Sequence, residues 1–202
     1  MKSLVWFRRD LRLHDNMALS WATQNSEEVY SVFVFDKNIL DKLKDKKDHR
    51  VYFIHKTLEA MNEKLAKKEA GIYIIHGDPA TEVPKLAKEL GVDAVCANRD
   101  YEKYAKDRDE KVASKLKDQG IEFHGFKDHL IFESNEIKTK EGNFYKVFTP
   151  YSRAWLDKRS SSEDAMSERP VDLKKMTYKR LKDRTMNLSL SDIDFEETEK
   201  ER

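Results

Sequence analysis

Charged clusters stand immediately after short apolar runs. Leu4-Val5-Trp6-Phe7 is followed by Arg8-Arg9-Asp10, and Ala94-Val95-Cys96-Ala97 by Asn98-Arg99-Asp100-Tyr101-Glu102. Two further runs, Val32–Phe35 and Ile72–Ile75, end in Asp36-Lys37 and His76-Gly77-Asp78. Paired arginines offer planar, bidentate donors suited to carboxylate or phosphate. The carboxylates beside them have a plainer use as well. Asp100 and Glu102 stand where they would cap a following helix.

Other chemistry is poorly supported. The strand-one loop has no glycine, so neither GxGxxG nor GxxxxGK[ST] is present, and a ligand there would be held by side chains. The six histidines show no HExxH spacing, and no serine lies in a GxSxG elbow. The single cysteine, Cys96, sits inside an apolar run and reads as a buried thiol; it excludes an internal disulfide framework. Trp6, Trp21 and Trp155 read as packing residues.

The elements that must position these clusters alternate in type. The four apolar runs suit strands buried on both faces. Between them lie helical stripes: Ala18, Leu19 and Ala22 behind a capping Asp15; Ile54, Leu58, Met61 and Leu65 in a long helix from near His49; Val83, Leu86, Ala87 and Leu90 opened by Asp78-Pro79 and closed by Gly91; and Ala105, Val112 and Leu116 closed by Gly120. The charges over 102–117 read as that last helix's solvated face. A fifth strand follows near Ile121–Phe126. Strict alternation predicts an α/β fold with a doubly wound, five-stranded parallel sheet, order 3-2-1-4-5, and helices on both faces. In such a sheet ligands bind beyond the carboxyl ends of the strands, where strand order reverses. The Arg8–Asp10 and Asn98–Glu102 loops then face each other across a cleft.

The pattern changes near residue 130. Leu130-Ile131-Phe132 and Phe144–Phe148 flank a polar turn, Lys140-Glu141-Gly142-Asn143, and predict a hairpin or extended excursion. A short helix begun by Thr149-Pro150 follows. Residues 1–130 read as the α/β domain, 131–159 as its extension, and 160–202 as a linker. The mostly acidic stretch from Asp192 to Arg202 has few apolar groups, so disorder, or docking on something outside the chain, is expected there.

Composition sets the frame. The 202 residues carry 39 Lys and Arg against 38 Asp and Glu, a net charge of +1, which gives no reason for whole-surface attraction to nucleic acid. Charged residues make up 38% and apolar residues 39%, a very polar surface around a core of ordinary size. No apolar run approaches the roughly 18 residues that span a bilayer, and the start turns charged too soon for a signal peptide; a cytoplasmic chain with no membrane partner is expected.

Several segments together resemble one family. Leu4-Val5-Trp6-Phe7-Arg8-Arg9-Asp10-Leu11-Arg12-Leu13-His14-Asp15-Asn16 is similar to the amino-terminal signature of the DNA photolyase and cryptochrome family. Val34-Phe35-Asp36, Arg50 with Phe53-Ile54 and Leu58, Gly77-Asp78-Pro79, Asn98–Glu102 with Arg108-Asp109, and Tyr145–Tyr151 with Ala154-Trp155 resemble further family segments in the same order. The likeness covers roughly residues 2–158.

The resemblance implies a Rossmann-like domain that binds a light-harvesting antenna chromophore, either methenyltetrahydrofolate or FMN or 8-hydroxydeazaflavin. It implies that excitation passes to FAD in an all-helical domain, which repairs cyclobutane pyrimidine dimers in DNA. That domain would lie outside these residues, so the chain alone would not be a repair-competent lyase. Its partners would be that helical domain and, through the whole protein, DNA. The residues matching the antenna loops are Arg8, Arg9, Asp10, Asp36, Arg50, Asp100 and Glu102, with Glu102 shared by both chromophore arrangements. A cryptochrome-type photoreceptor domain and a small-nucleotide-binding α/β domain are the alternatives. No catalytic or metal site is expected.

Overall fold

The computed structural model describes residues 1–162 and 167–198. Its centre is a five-stranded sheet of β1 (Lys2–Phe7), β2 (Glu28–Asp36), β3 (Ile72–Gly77), β4 (Ala94–Asn98) and β5 (Glu122–Phe126), ordered β3-β2-β1-β4-β5. All four pairings are parallel. The expected fold class is therefore what the chain adopts. Successive residues of a strand point to opposite faces, and β1 shows the consequence. Val5 and Phe7 face α1 (Met17–Asn25) and α3 (His49–Ala66), whereas Leu4 and Trp6 face α4 (Pro79–Leu90) and α5 (Lys103–Lys117). Both faces are apolar because both are covered.

Local punctuation explains the helix starts. Asp48 accepts from Arg50 N at the start of α3, and Asp78 from Ala80 N at the start of α4. Pro79 follows directly, and Gly91 ends α4 at φ 65°, a left-handed conformation that a Cβ would strain. The cap of α1 differs from expectation. Asn16 provides it by accepting from Leu19 N, while Asp15 lies at φ 44° in the turn before. A one-turn helix, α2 (Lys37–Leu40), follows β2 and is capped by Asp36.

The expected hairpin over 130–148 does not form. The polar turn closes, with Gly142 N donating to Thr139 O and Thr139 N to Asn143 O, but no ladder extends from it. Instead Phe132 and Ile137 each bury singly, and Lys127 pairs with Glu136 at 2.8 Å. Phe144 and Val147 stay exposed, and the next helix, α6, runs Phe148–Ser160 with no buried residue.

The carboxy-terminal stretch also departs from expectation. Over 167–198 it packs against the domain as a strap. Met176 lies beside Val29, and Thr185 O accepts from Ile74 N on the open edge of β3. Arg184 pairs with Glu82 and Glu89, Asn62 Nδ2 donates to Met186 O, and Leu190, Ile193 and Phe195 enter the core. The acidic end docks on a lysine-rich loop through Lys46–Asp194 at 2.6 Å. Within the stretch from Asp192, Ile193 and Phe195 are buried in the core beside Leu190, so the acidic end docks on its own domain instead of remaining disordered. The rest of the predicted disordered end, 199–202, lies outside the described residues.

Cys96 is fully buried, and burial pushes its thiol up to about 12, with a hydrogen bond from Ser3 opposing the shift. Only a thiolate reacts. At pH 8 the folded protein is expected to resist a thiol-specific reagent that labels the urea-unfolded chain within minutes. Equal labelling of both states would show that β4 opens readily.

Candidate functional site

The site is built at the carboxyl ends of β1 and β2. The two loops expected to meet across the switch point do so. Arg9 Nη1 lies 3.3 Å from Glu102 and 3.5 Å from Asp100. Arg8 donates from Nη2 to the Asn98 carbonyl and from Nη1 to Asp109 at 2.5 Å. Because these groups pair with one another, the space opens to one side, between α3 and α5. There a cleft of about 410 Å³ lies over the ends of β1 and β2.

The cleft has two kinds of wall. Leu40, Leu43, Val51 and Ile54 form an apolar side. Asp36, Tyr104 and Arg108 form a polar side, with Trp6 among the lining residues. Arg9 and Arg50 reach its rim, their side chains 63% and 74% exposed. An apolar body with a few convergent polar groups is the usual constitution of a small-molecule site.

Six of the seven residues anticipated from sequence line this cleft, in unequal states. Arg8 is buried, and its guanidinium carbon lies 4.8 Å from the Trp6 ring centroid, so it is largely structural. Arg9 and Glu102 are rim residues. Glu102 occupies the cap position of α5 without a capping hydrogen bond, so its carboxylate serves Arg9 rather than the helix. Arg50 is held by Asp48 at 2.6 Å, and that pair, through the hydrogen bond first, lowers the Asp48 carboxyl to about 2. Asp100 is partly covered and accepts from Tyr101 N. Asp36 is buried, accepting from Asn38 N at 2.9 Å and from the Tyr104 hydroxyl at 2.6 Å.

Asp10 is the exception. It turns away from the cleft and accepts from Arg8 N, Asn16 Nδ2 and Asn98 Nδ2 in a buried network. Arg9, its neighbour in sequence, lines the cleft; Asp10 does not.

Two polar residues of the cleft, Tyr104 and Arg108, were not among the expected site residues. They are one helical turn apart on α5, and that spacing, with the place of Arg108 in a family-like segment, was the available signal. The charge pattern over 102–117 predicts a solvated face, yet Arg108 is only 8% exposed and its guanidinium carbon lies 4.8 Å from the Trp6 ring centroid. Burial, and then the bond to Asp36, pushes the Tyr104 hydroxyl up to about 12, so it donates to Asp36 at any working pH.

Among the described residues no cluster suits a metal ion, and no helix is long and apolar enough to cross a membrane. In a second opening of about 490 Å³, near β5, Glu133 takes Arg99 and the Tyr101 hydroxyl.

A family model described as DNA photolyase matches residues 3–171. The chain belongs to the DNA photolyase family. A deoxyribodipyrimidine photo-lyase from Synechococcus is 33% identical over 170 residues, 84% of this chain and 35% of that relative. A class III photolyase structure from Agrobacterium tumefaciens covers 94% of this chain and 37% of its own, with 28% identity and a TM-score of 0.76. An archaeal photolyase structure from Sulfolobus tokodaii, described as holding two FAD molecules and implying a novel light-harvesting cofactor, gives 26% identity and a TM-score of 0.68 over 85% of this chain and 37% of its own. The photolyase-type chain thus spans 53%, 35% and 33% of three curated relatives it matches. It corresponds to their α/β amino-terminal part.

Proposed function

We propose that this chain is the light-harvesting domain of a DNA photolyase and that its cleft takes a flavin or 8-hydroxydeazaflavin rather than methenyltetrahydrofolate. One observation carries the reading: the cleft over β1 and β2 is built entirely from this chain, with an apolar side for a planar ring and polar groups for its edge. The two FAD molecules named for the Sulfolobus tokodaii photolyase support a second flavin in this family. When bound, the chromophore would absorb near-ultraviolet or blue light and pass the excitation on.

The protein's own tasks are to hold the ring, exclude water from it and meet its charge. Arg9 and Arg50 at the rim suit a phosphate-bearing tail. The recipient of the excitation would be FAD in a helical domain, and the repaired lesion a cyclobutane pyrimidine dimer. The exposed Phe144, Val147, Phe148 and Leu156 offer that domain an apolar docking face.

Titration of FMN, followed by fluorescence anisotropy, tests the reading. Saturable binding is expected, with Arg9→Ala/Arg50→Ala weakening FMN by about 3- to 10-fold while leaving riboflavin nearly unchanged, as exposed charge pairs contribute modestly. Uptake of methenyltetrahydrofolate alone, or of no chromophore, would overturn it.

A further inference from the structure

The polar side of the cleft is chemically incomplete in a specific way. Arg108 is nine-tenths buried, and Asp109 takes its Nε and one Nη2 donor at 3.1 and 3.0 Å. A guanidinium has five N–H donors. The Nη1 group makes no hydrogen bond to the described residues; its nearest partner is Asp36 Oδ2 at 4.0 Å, too long for one.

Asp36 is incomplete in the complementary sense. A carboxylate offers about four acceptor sites. Oδ1 takes Asn38 N and Nδ2 at 2.9 and 3.2 Å, and Oδ2 takes the Tyr104 hydroxyl at 2.6 Å. One acceptor site remains, on the Oδ2 atom that faces Arg108. A buried cation with spare donors beside a buried anion with a spare acceptor is costly unless something completes both.

We propose that Asp36 and Arg108 together read the cyclic imide edge of the ligand, Asp36 Oδ2 accepting from the ring N–H and Arg108 Nη1 donating to the adjacent ring carbonyl. An N–H beside a C=O presents a donor and an acceptor side by side, the complement of this pair. The pyrimidine-like ring of flavins and deazaflavins carries such an edge. The Tyr104 hydroxyl, kept protonated, holds Oδ2 in place and leaves it one direction in which to accept. Tyr104 is thus a positioning residue, while Asp36 and Arg108 touch the ligand. This assignment rests on the cleft being a flavin site, and it adds the code by which the ring is selected.

The test uses uncharged flavins, so that the rim arginines contribute nothing. Lumiflavin and its N3-methyl derivative are titrated against the unaltered protein by fluorescence anisotropy. Lumiflavin is expected to bind at least about 30-fold more tightly, because a site built to pair an N–H strongly rejects the analogue that lacks it. In Asp36→Asn, whose amide can present a donor to the ring N–H, the ratio should fall to about threefold or less, mainly through loss of lumiflavin binding. The N-methyl comparison leaves the fold untouched, so it stands even if a variant is unstable. Equal binding of the two flavins by the unaltered protein would overturn the imide assignment and leave the flavin reading standing. Binding of neither, together with failure of FMN, would overturn both.

Discussion

Asp10→Ala is expected to lower the stability of the domain by about 3–5 kcal/mol, the cost typical of removing one member of a buried charged network. The Asp10 carboxylate, 3% exposed, accepts from Arg8 N at 2.8 Å, Asn98 Nδ2 at 2.5 Å and Asn16 Nδ2 at 3.2 Å. Asn16 and Asn98 are themselves buried, so neither amide can turn to water. Truncation takes one acceptor from each of three buried donors: Arg8 N loses its partner outright, whereas Asn16 Nδ2 keeps the Asp10 carbonyl and Asn98 Nδ2 keeps Asn16 Oδ1, and each lost bond costs about 1–3 kcal/mol. The network also joins three chain segments. Asn98 Oδ1 accepts from Ala18 N at the start of α1, so the ends of β1 and β4 and the first turn of α1 share it. Asp10→Asn keeps an oxygen for one donor and should cost about half as much. Urea unfolding checks both: the midpoint should shift without change in slope. A loss below about 1 kcal/mol for Asp10→Ala would mean that water reaches the network and that the loop is not rigidly held. The prediction also separates two roles in Arg8-Arg9-Asp10. Asp10 should matter to stability, whereas Arg9 should matter to ligand and little to stability.

Much of the fold was legible because its signals are local and repeated. Unbroken apolar runs marked β1 to β4. The Asp78-Pro79 start and Gly91 stop marked α4 almost to the residue. Strict alternation then left few topologies, and the switch-point rule placed the two charged loops opposite each other. The site was legible at the level of loops and less so at the level of atoms. Sequence could name Asp36 but not say that Tyr104 and Arg108 complete it, since burial of a charge on a helix depends on which face the sheet covers. It could name Asp10 but not see it turn inward, because a side chain's direction in a tight loop is set by distant partners such as Asn98. The segment after residue 130 was least legible. Its apolar residues are too few and too irregular to show a period. The turn at 139–143 closes on its own hydrogen bonds, but a hairpin needs a covered face, and Phe144 and Val147 find none among the described residues.

Ile193→Ala is expected to cost about 2–5 kcal/mol, the range for shortening a fully buried aliphatic side chain. Ile193 is 1% exposed and shares the α1–α3 side of the core with Leu58, Met61 and Leu65. It arrives there on a strap whose backbone is tied down along the way. Thr185 O accepts from Ile74 N, Leu188 O lies 2.7 Å from His55 Nε2, and Glu196 N donates to Lys46 O. The Thr185 contact covers one position on the otherwise open edge of β3, an exposed row of N–H and C=O groups that sheet proteins generally protect, while the other two tie the strap to α3 and to the loop before it. A plain linker would predict the opposite outcome. If 167–198 merely joined this domain to another, shortening Ile193 would change little, as Leu156→Ala on the exposed face of α6 should, within about 0.5 kcal/mol. The two variants therefore form a pair, one aliphatic side chain each, whose main contrast is burial. A large loss for Ile193→Ala and none for Leu156→Ala would make the strap part of the folding unit. Equal, small losses would detach it. The distinction reaches the cleft, because the lysine-rich loop that receives the strap's acidic end also carries Leu43 into the cleft wall. A strap that belongs to the fold helps hold that wall where a planar ligand needs it.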